Sequence, residues 1–207
     1  MLTLIFILFS PSAMAQVSSA DQFWSALTNN DVPRVVATIQ AGVSPNSSTD
    51  TETPLSYSIK AGSLEMVKAL LENGADANFQ QPISLFTPLM VAAKHEKPEA
   101  ALLLVRYGAD ANLAGILGRG PLNIAALFDS LKVADILLSN TNADVNARGK
   151  LCPLAVAARQ GYLDFVSLLL QKARLKTNDT CFQSAIDMAQ YNQNDAVVKL
   201  LLTRKNP

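Results

Sequence analysis

The sequence predicts an all-α solenoid of about six stacked helix–turn–helix units, the two at the ends being atypical. Three observations carry that prediction. The stretch "RYGADAN" at 106–112 rewrites "ENGADAN" at 72–78 after 34 residues. Asn46, Asn78, Asn112, Asn146 and Asn178 recur at intervals of 32, 34, 34 and 32 residues. The windows between them open on short helix-starting motifs, most clearly "TPL" at Thr53 and Thr87. Copies at a period of 20 to 50 residues mark small units that cannot bury an apolar face alone and stack to do so.

The elements of one unit follow from local chemistry. A hydroxyl residue before Pro starts a helix well, because the hydroxyl caps a free amide and Pro sits where its missing N–H is not needed. Leu55, Ala93 and Ala126 are then expected to pack inward, with Gly62 or Gly161 ending the short first helix. A second helix carries an apolar stripe such as Leu64, Val67, Leu70 and Leu71 at helical spacing. Gly74 and Gly108 close that second helix in the left-handed conformation, and the Asp and Asn residues after them form a turn.

The units are read at about 21–48, 49–80, 82–114, 115–147, 148–179 and 180–205. The first lacks the "TPL" opening and places Phe23 and Trp24 early; the last ends in Lys199, Arg204 and Lys205. Both are expected to be capping units, since an array needs polar outer faces at its ends. Gly120 and Cys152 replace the opening Thr, so the first helices of the fourth and fifth units are expected to be weakly capped.

Residues 1–15 differ from the rest. An apolar run at 2–9 is broken by Pro11 and Ser12 and followed by the small residues Ala13 and Ala15 around Met14, a cleavage-site spacing. No Lys or Arg precedes the run. The reading is a signal peptide over 1–15 and a mature domain over 16–207, periplasmic or secreted.

Seventeen basic and 17 acidic side chains give zero formal net charge, which argues against nucleic acid as a partner. No later apolar run reaches the ~20 residues a membrane span needs, so no membrane insertion is expected. One His (His95) and two Cys (Cys152 and Cys181), with no CxxC, HxxxH or glycine-rich phosphate loop, supply no catalytic residue, no metal site and no cofactor site. A non-enzymatic, monomeric binder follows. An exported chain favours a disulfide between Cys152 and Cys181, which open neighbouring units; their different registers argue against it.

The "TPL…A…G…LL…GADAN" pattern over 53–78 resembles the ankyrin-repeat family, whose motif reads roughly "G-x-TPLHxAAxxGHxxxVxxLLxxGADxNxx". The resemblance covers about 21–205. Departures are Ser56, Met90, Asn123 and Ala155 at the family's His, and Asn142 at a closing Gly. The resemblance implies a concave surface of loop tips and first helices that grips a protein partner. Carried over residue by residue, it gives Phe86, Met90, Lys94, Arg119, Leu127, Phe128 and Arg159 as protein-binding candidates. Leu127 and Phe128 follow the inward-facing Ala125 and Ala126, so they are expected to emerge on that face; with Phe86 they are the expected anchors of a partner docked across the third and fourth units, with Lys94, Arg119 and Arg159 as a polar rim. The competing expectation is that the loops at 80–86 and 114–119 fold back and bury their own apolar residues. Similar bacterial exported ankyrin proteins support envelope enzymes or act in immunity, blocking a periplasm-acting toxin such as a phospholipase. The partner implied is therefore a toxin or an envelope enzyme, or a host protein if the chain is a secreted effector.

Overall fold

The computed structural model describes residues 18–146, 151–173, 175 and 180–205. The proposed signal peptide over 1–15 and the repeated Asn178 lie outside the described residues. Twelve α-helices and no strand occur among the described residues. They are α1 (Ser19–Thr28), α2 (Val32–Gln40), α3 (Pro54–Ala61), α4 (Leu64–Glu72), α5 (Pro88–Lys94), α6 (Pro98–Arg106), α7 (Pro121–Leu127), α8 (Leu131–Asn140), α9 (Pro153–Gln160), α10 (Leu163–Lys172), α11 (Thr180–Tyr191) and α12 (Asp195–Lys205).

Odd-numbered helices stack on one another as an inner layer, and even-numbered helices stack behind them as an outer layer. The inner helices start as their sequences dictate. Thr53 Oγ1 accepts from the Ser56 N–H at 3.2 Å and Thr87 Oγ1 from the Met90 N–H at 3.2 Å, each followed by Pro at the first helical position. Gly120 and Cys152 make no side-chain cap. At Gly120 the bond runs in reverse: Asn123 Oδ1 accepts from the Gly120 N–H at 3.3 Å, while Asn123 Nδ2 donates across to the Leu151 carbonyl at 3.0 Å.

Every inner helix ends in one left-handed residue: Asn30, Gly62, Glu96, Asp129, Gly161 and Gln193. Only two of the six are glycine, yet the turn is the same. In each case the N–H of the next residue reaches the carbonyl five positions back, as Ser63 to Ser58 at 3.1 Å, Lys97 to Ala92 at 2.9 Å and Ser130 to Ala125 at 2.9 Å. These bonds satisfy the carbonyls that a helix end leaves open.

The core runs along the seam between layers. Leu55, Ile59, Leu89, Ala93, Ala125, Ala126, Ala157 and Ala158 face it from the inner layer, and Met66, Val67, Leu70, Leu104, Val133, Leu137, Phe165 and Leu169 from the outer, all at most 2 % exposed. Small side chains on the inner layer let its helices approach closely. Leu64 does not join the stripe expected of it; at the first position of α4 it points outward, 43 % exposed, and Met66 takes its place. The outer face of the last helix is exposed at Lys199, Arg204 and Lys205, and at the other end Trp24 packs edge-on against Phe23 (6.1 Å) and Tyr57 (6.5 Å).

The recurrent asparagines tie unit to unit. Asn78 Oδ1 accepts from the Asp110 N–H at 2.7 Å and its Nδ2 donates to the Gly108 carbonyl at 3.1 Å. Asn46 makes the same pair with Asp76 (2.8 Å) and Gly74 (3.4 Å), and Asn112 with Asp144 (2.7 Å) and Asn142 (3.1 Å). The aspartates shape the turn itself: Asp76 Oδ1 accepts from the Asn78 N–H and Asp110 Oδ1 from the Asn112 N–H, both at 2.8 Å. The period seen in the sequence is the period of these clamps.

Candidate functional site

The inner layer presents the ends of its helices and the loop tips before them on one face. Between the second and third units this face holds a recess of about 280 Å³, lined among others by Glu52, Lys60, Gln81, Ile83, Phe86, Lys94 and His95. The loop at 81–86 is held by its own bonds. Gln81 accepts from the Leu85 N–H through its carbonyl at 3.0 Å, Ser84 Oγ donates to Gln81 Oε1 at 2.7 Å, and Gln80 Nε2 bridges the Leu85 (2.8 Å) and Ala114 (3.1 Å) carbonyls. These bonds fix the loop against the next one.

Glu52 lines the recess and is shared between Lys60 Nζ at 3.2 Å and Gln81 Nε2 at 3.0 Å. Lys94 Nζ lies 5.7 Å from the centroid of the Phe86 ring, over its face. Burial holds the His95 imidazole below its ordinary value of 6.5, and the ammonium groups of Lys94, Lys60 and Lys97 act in the same direction, against Glu52 alone. The pocket is therefore a positively biased environment with an apolar wall of Ile83, Phe86 and Val91.

Of the expected binding residues, Phe86 is half-buried beneath Lys94, and Lys94 and Arg159 are exposed in the last turns of α5 and α9. Arg119 and Leu127 are half-buried, and Phe128 caps the end of α7 with 45 % of its surface exposed. Phe86 and Lys94 share the recess; Phe128, Arg119 and Arg159 lie outside its lining. Met90 must be corrected: it is 0 % exposed and cannot meet a partner. The reason is the next loop. A Cβ added at Gly115 would stand 3.2 Å from Met90 Sδ, so the chain at 115 closes over that side of α5. The competing expectation for the loops also falls away at Ile83, Leu85 and Ile116, which stay 65 %, 41 % and 47 % exposed.

Cys152 and Cys181 form a disulfide with Cα atoms 5.8 Å apart, both side chains buried. The register difference seen in the sequence is absorbed by α11, which starts at Thr180 and so carries Cys181 in its first turn beside the start of α9. Three contacts had no repeated signal in the sequence. Ser130 Oγ donates to the Ala93 carbonyl, Asn194 Nδ2 to the Ala158 carbonyl (2.9 Å), and Lys97 Nζ sits beside Gly62, each from the turn after an inner helix to the end of the preceding unit's inner helix. Among the described residues no cluster of three His, Cys, Asp or Glu could hold a metal ion, and no helix is long and apolar enough to cross a membrane.

Comparison with known proteins agrees with this architecture. A family model described as "Ankyrin repeats (3 copies)" matches residues 23–115, 84–149 and 122–207. The chain is 32 % identical over 161 residues to Neurogenic locus notch homolog protein 1 of Xenopus tropicalis, covering 75 % of this chain and 6 % of that protein. It is 30 % identical over 173 residues to Neurogenic locus notch homolog protein 2 of Homo sapiens (82 % and 7 %), and 37 % over 97 residues to Neurogenic locus Notch protein of Drosophila melanogaster (46 % and 4 %). The chain thus spans well under a tenth of the length of these curated relatives. With its two-layer stack, its clamped turns and a family model matched over nearly the whole described length, the chain belongs to the ankyrin-repeat family, a protein–protein interaction module.

Proposed function

We propose that this chain is an exported, non-enzymatic protein-binding module of a bacterial periplasm, which engages its partner through the inner face of the second to fifth units. The observation that carries the reading is the exposed, ordered set of side chains there: Phe128 at the end of α7, with Lys94 and Arg159 at the corresponding ends of α5 and α9. An exposed aromatic with cations at the ends of the neighbouring inner helices is the composition an interface anchor and its polar rim call for. The buried disulfide and the cleavage-site pattern at 13–15 support an oxidising compartment.

The test is recovery of the partner from the periplasm of cells expressing the tagged full chain, followed by affinity measurement with Phe128→Ala. The recovered chain should begin at Gln16. Phe128→Ala should weaken binding by about 2 kcal/mol while moving stability by less than about 1 kcal/mol, since nearly half of the residue's surface is already in water. A partner that binds the variant unchanged and protects the outer helices instead would overturn the inner-face reading. A toxin recovered as that partner would make the chain an immunity protein; an envelope enzyme would make it an accessory factor.

A further inference from the structure

We infer that the recess between the second and third units receives an acidic side chain carried by an apolar segment of the partner protein. This rests on the inner-face reading above and specifies its chemistry. Lys60 and Lys94 both line the recess, whereas Glu52 is the one carboxylate among its described lining residues, and its oxygens are already taken up by Lys60 and Gln81. Among the described residues Lys94 forms no ion pair with a carboxylate; its ammonium group rests on the Phe86 ring instead. A carboxylate entering the recess therefore meets an ammonium group that no acid among the described residues pairs with. Such charge-assisted bonds are about twice as strong as neutral ones.

Size and wall chemistry decide the class of ligand. At about 280 Å³ the recess falls just below the ~300–1,000 Å³ of small-molecule and cofactor sites, so it suits one or two side chains rather than a cofactor. Ile83 stands at its mouth 65 % exposed, with Leu85 41 % exposed on the same loop. A free anion would leave that apolar surface in water, whereas a peptide segment with an aliphatic or aromatic residue next to its acid would cover it. Charge selects the acid and the loop selects its neighbour.

Two peptides provide the probe, acetyl-Gly-Leu-Glu-Phe-Glu-Gly-amide and the same peptide with both Glu replaced by Gln, titrated calorimetrically against the mature chain at low and moderate salt. The acidic peptide should bind at least fivefold more tightly, the preference should shrink as salt rises, and the Lys60→Gln/Lys94→Gln double variant should abolish it with an unchanged thermal midpoint. Equal binding of the two peptides, binding of neither, or full competition by free glutamate would overturn the proposal. The inner-face reading is scored separately with the recovered partner. If that partner is lost with Phe128→Ala but retained by the double lysine variant, the inner face stands and the acid-receiving recess fails; if both variants bind normally, both fail.

Discussion

The amide of Asn78 serves two backbone groups of the following unit at once, the Asp110 N–H and the Gly108 carbonyl, and no other residue type of its length offers both a donor and an acceptor in that geometry. Asn78→Ala should therefore cost about 2 kcal/mol, two net hydrogen bonds at roughly 1 kcal/mol each, in a urea titration followed by circular dichroism. A loss under about 0.5 kcal/mol would mean that water replaces the clamp at no cost. The recurrence of Asn was readable in the sequence because one chemical task selects one residue type. The tethers made by Ser130 and Asn194 were not readable, because a hydroxyl and an amide can each reach the end of the preceding inner helix. Met90 failed for a related reason: its own helix exposes that side, and only the loop of the next unit, closing at Gly115, buries it.

At the scale of an element, the end of each inner helix is fixed by backbone bonds rather than by glycine. A left-handed residue other than Gly costs about 1–2 kcal/mol, yet Asn30, Glu96, Asp129 and Gln193 all adopt it, because the bond from the following N–H holds the turn closed. Sequence reasoning found the two glycine stops, Gly62 and Gly161, and had no local signal for the other four. Asp129 shows a second cost. Its carboxyl is raised above the ordinary 3.8 by burial first and then by Asp164 and Glu96, and one carboxylate oxygen is buried without a partner. A folded pKa above the unfolded one means that the folded state binds the proton more tightly. That stabilisation is complete below about 3.8 and is lost as pH rises through the folded value. Asp129→Asn removes the charge, and both residues tolerate the left-handed turn, so the variant should be more stable by up to about 0.5 kcal/mol at pH 7, a small figure because water screens the site. The gain should vanish in denaturant titrations at pH 3.5. A gain that persists there would assign the effect to the backbone and not to the carboxylate.

Across the whole molecule, stability in a linear stack is close to a sum of unit and nearest-neighbour contributions, so a local staple is felt locally. The fifth and sixth units carry an inner helix with no side-chain cap, α9 at Cys152, and also the disulfide that joins it to Cys181 of α11 across 29 residues. Closing a loop of that length in the unfolded chain should contribute about 3–4 kcal/mol, more than the ~1 kcal/mol that a missing N-cap costs. One residue thus gives up a cap and gains a cross-link. The two effects separate in a pair of variants. Cys152→Ala/Cys181→Ala loses the bridge and leaves α9 uncapped, while Cys152→Ser/Cys181→Ala loses the bridge and restores a capping hydroxyl, so the second should be more stable than the first by about 1 kcal/mol. Both should lie below the oxidised protein. Because neighbours couple and distant units do not, amide exchange should speed up in α9 to α12 of either variant and stay unchanged in α3 to α6, where the clamps of Asn46 and Asn78 remain intact. Uniform acceleration along the whole chain would show instead that the stack unfolds as one cooperative block, with the disulfide serving every unit equally.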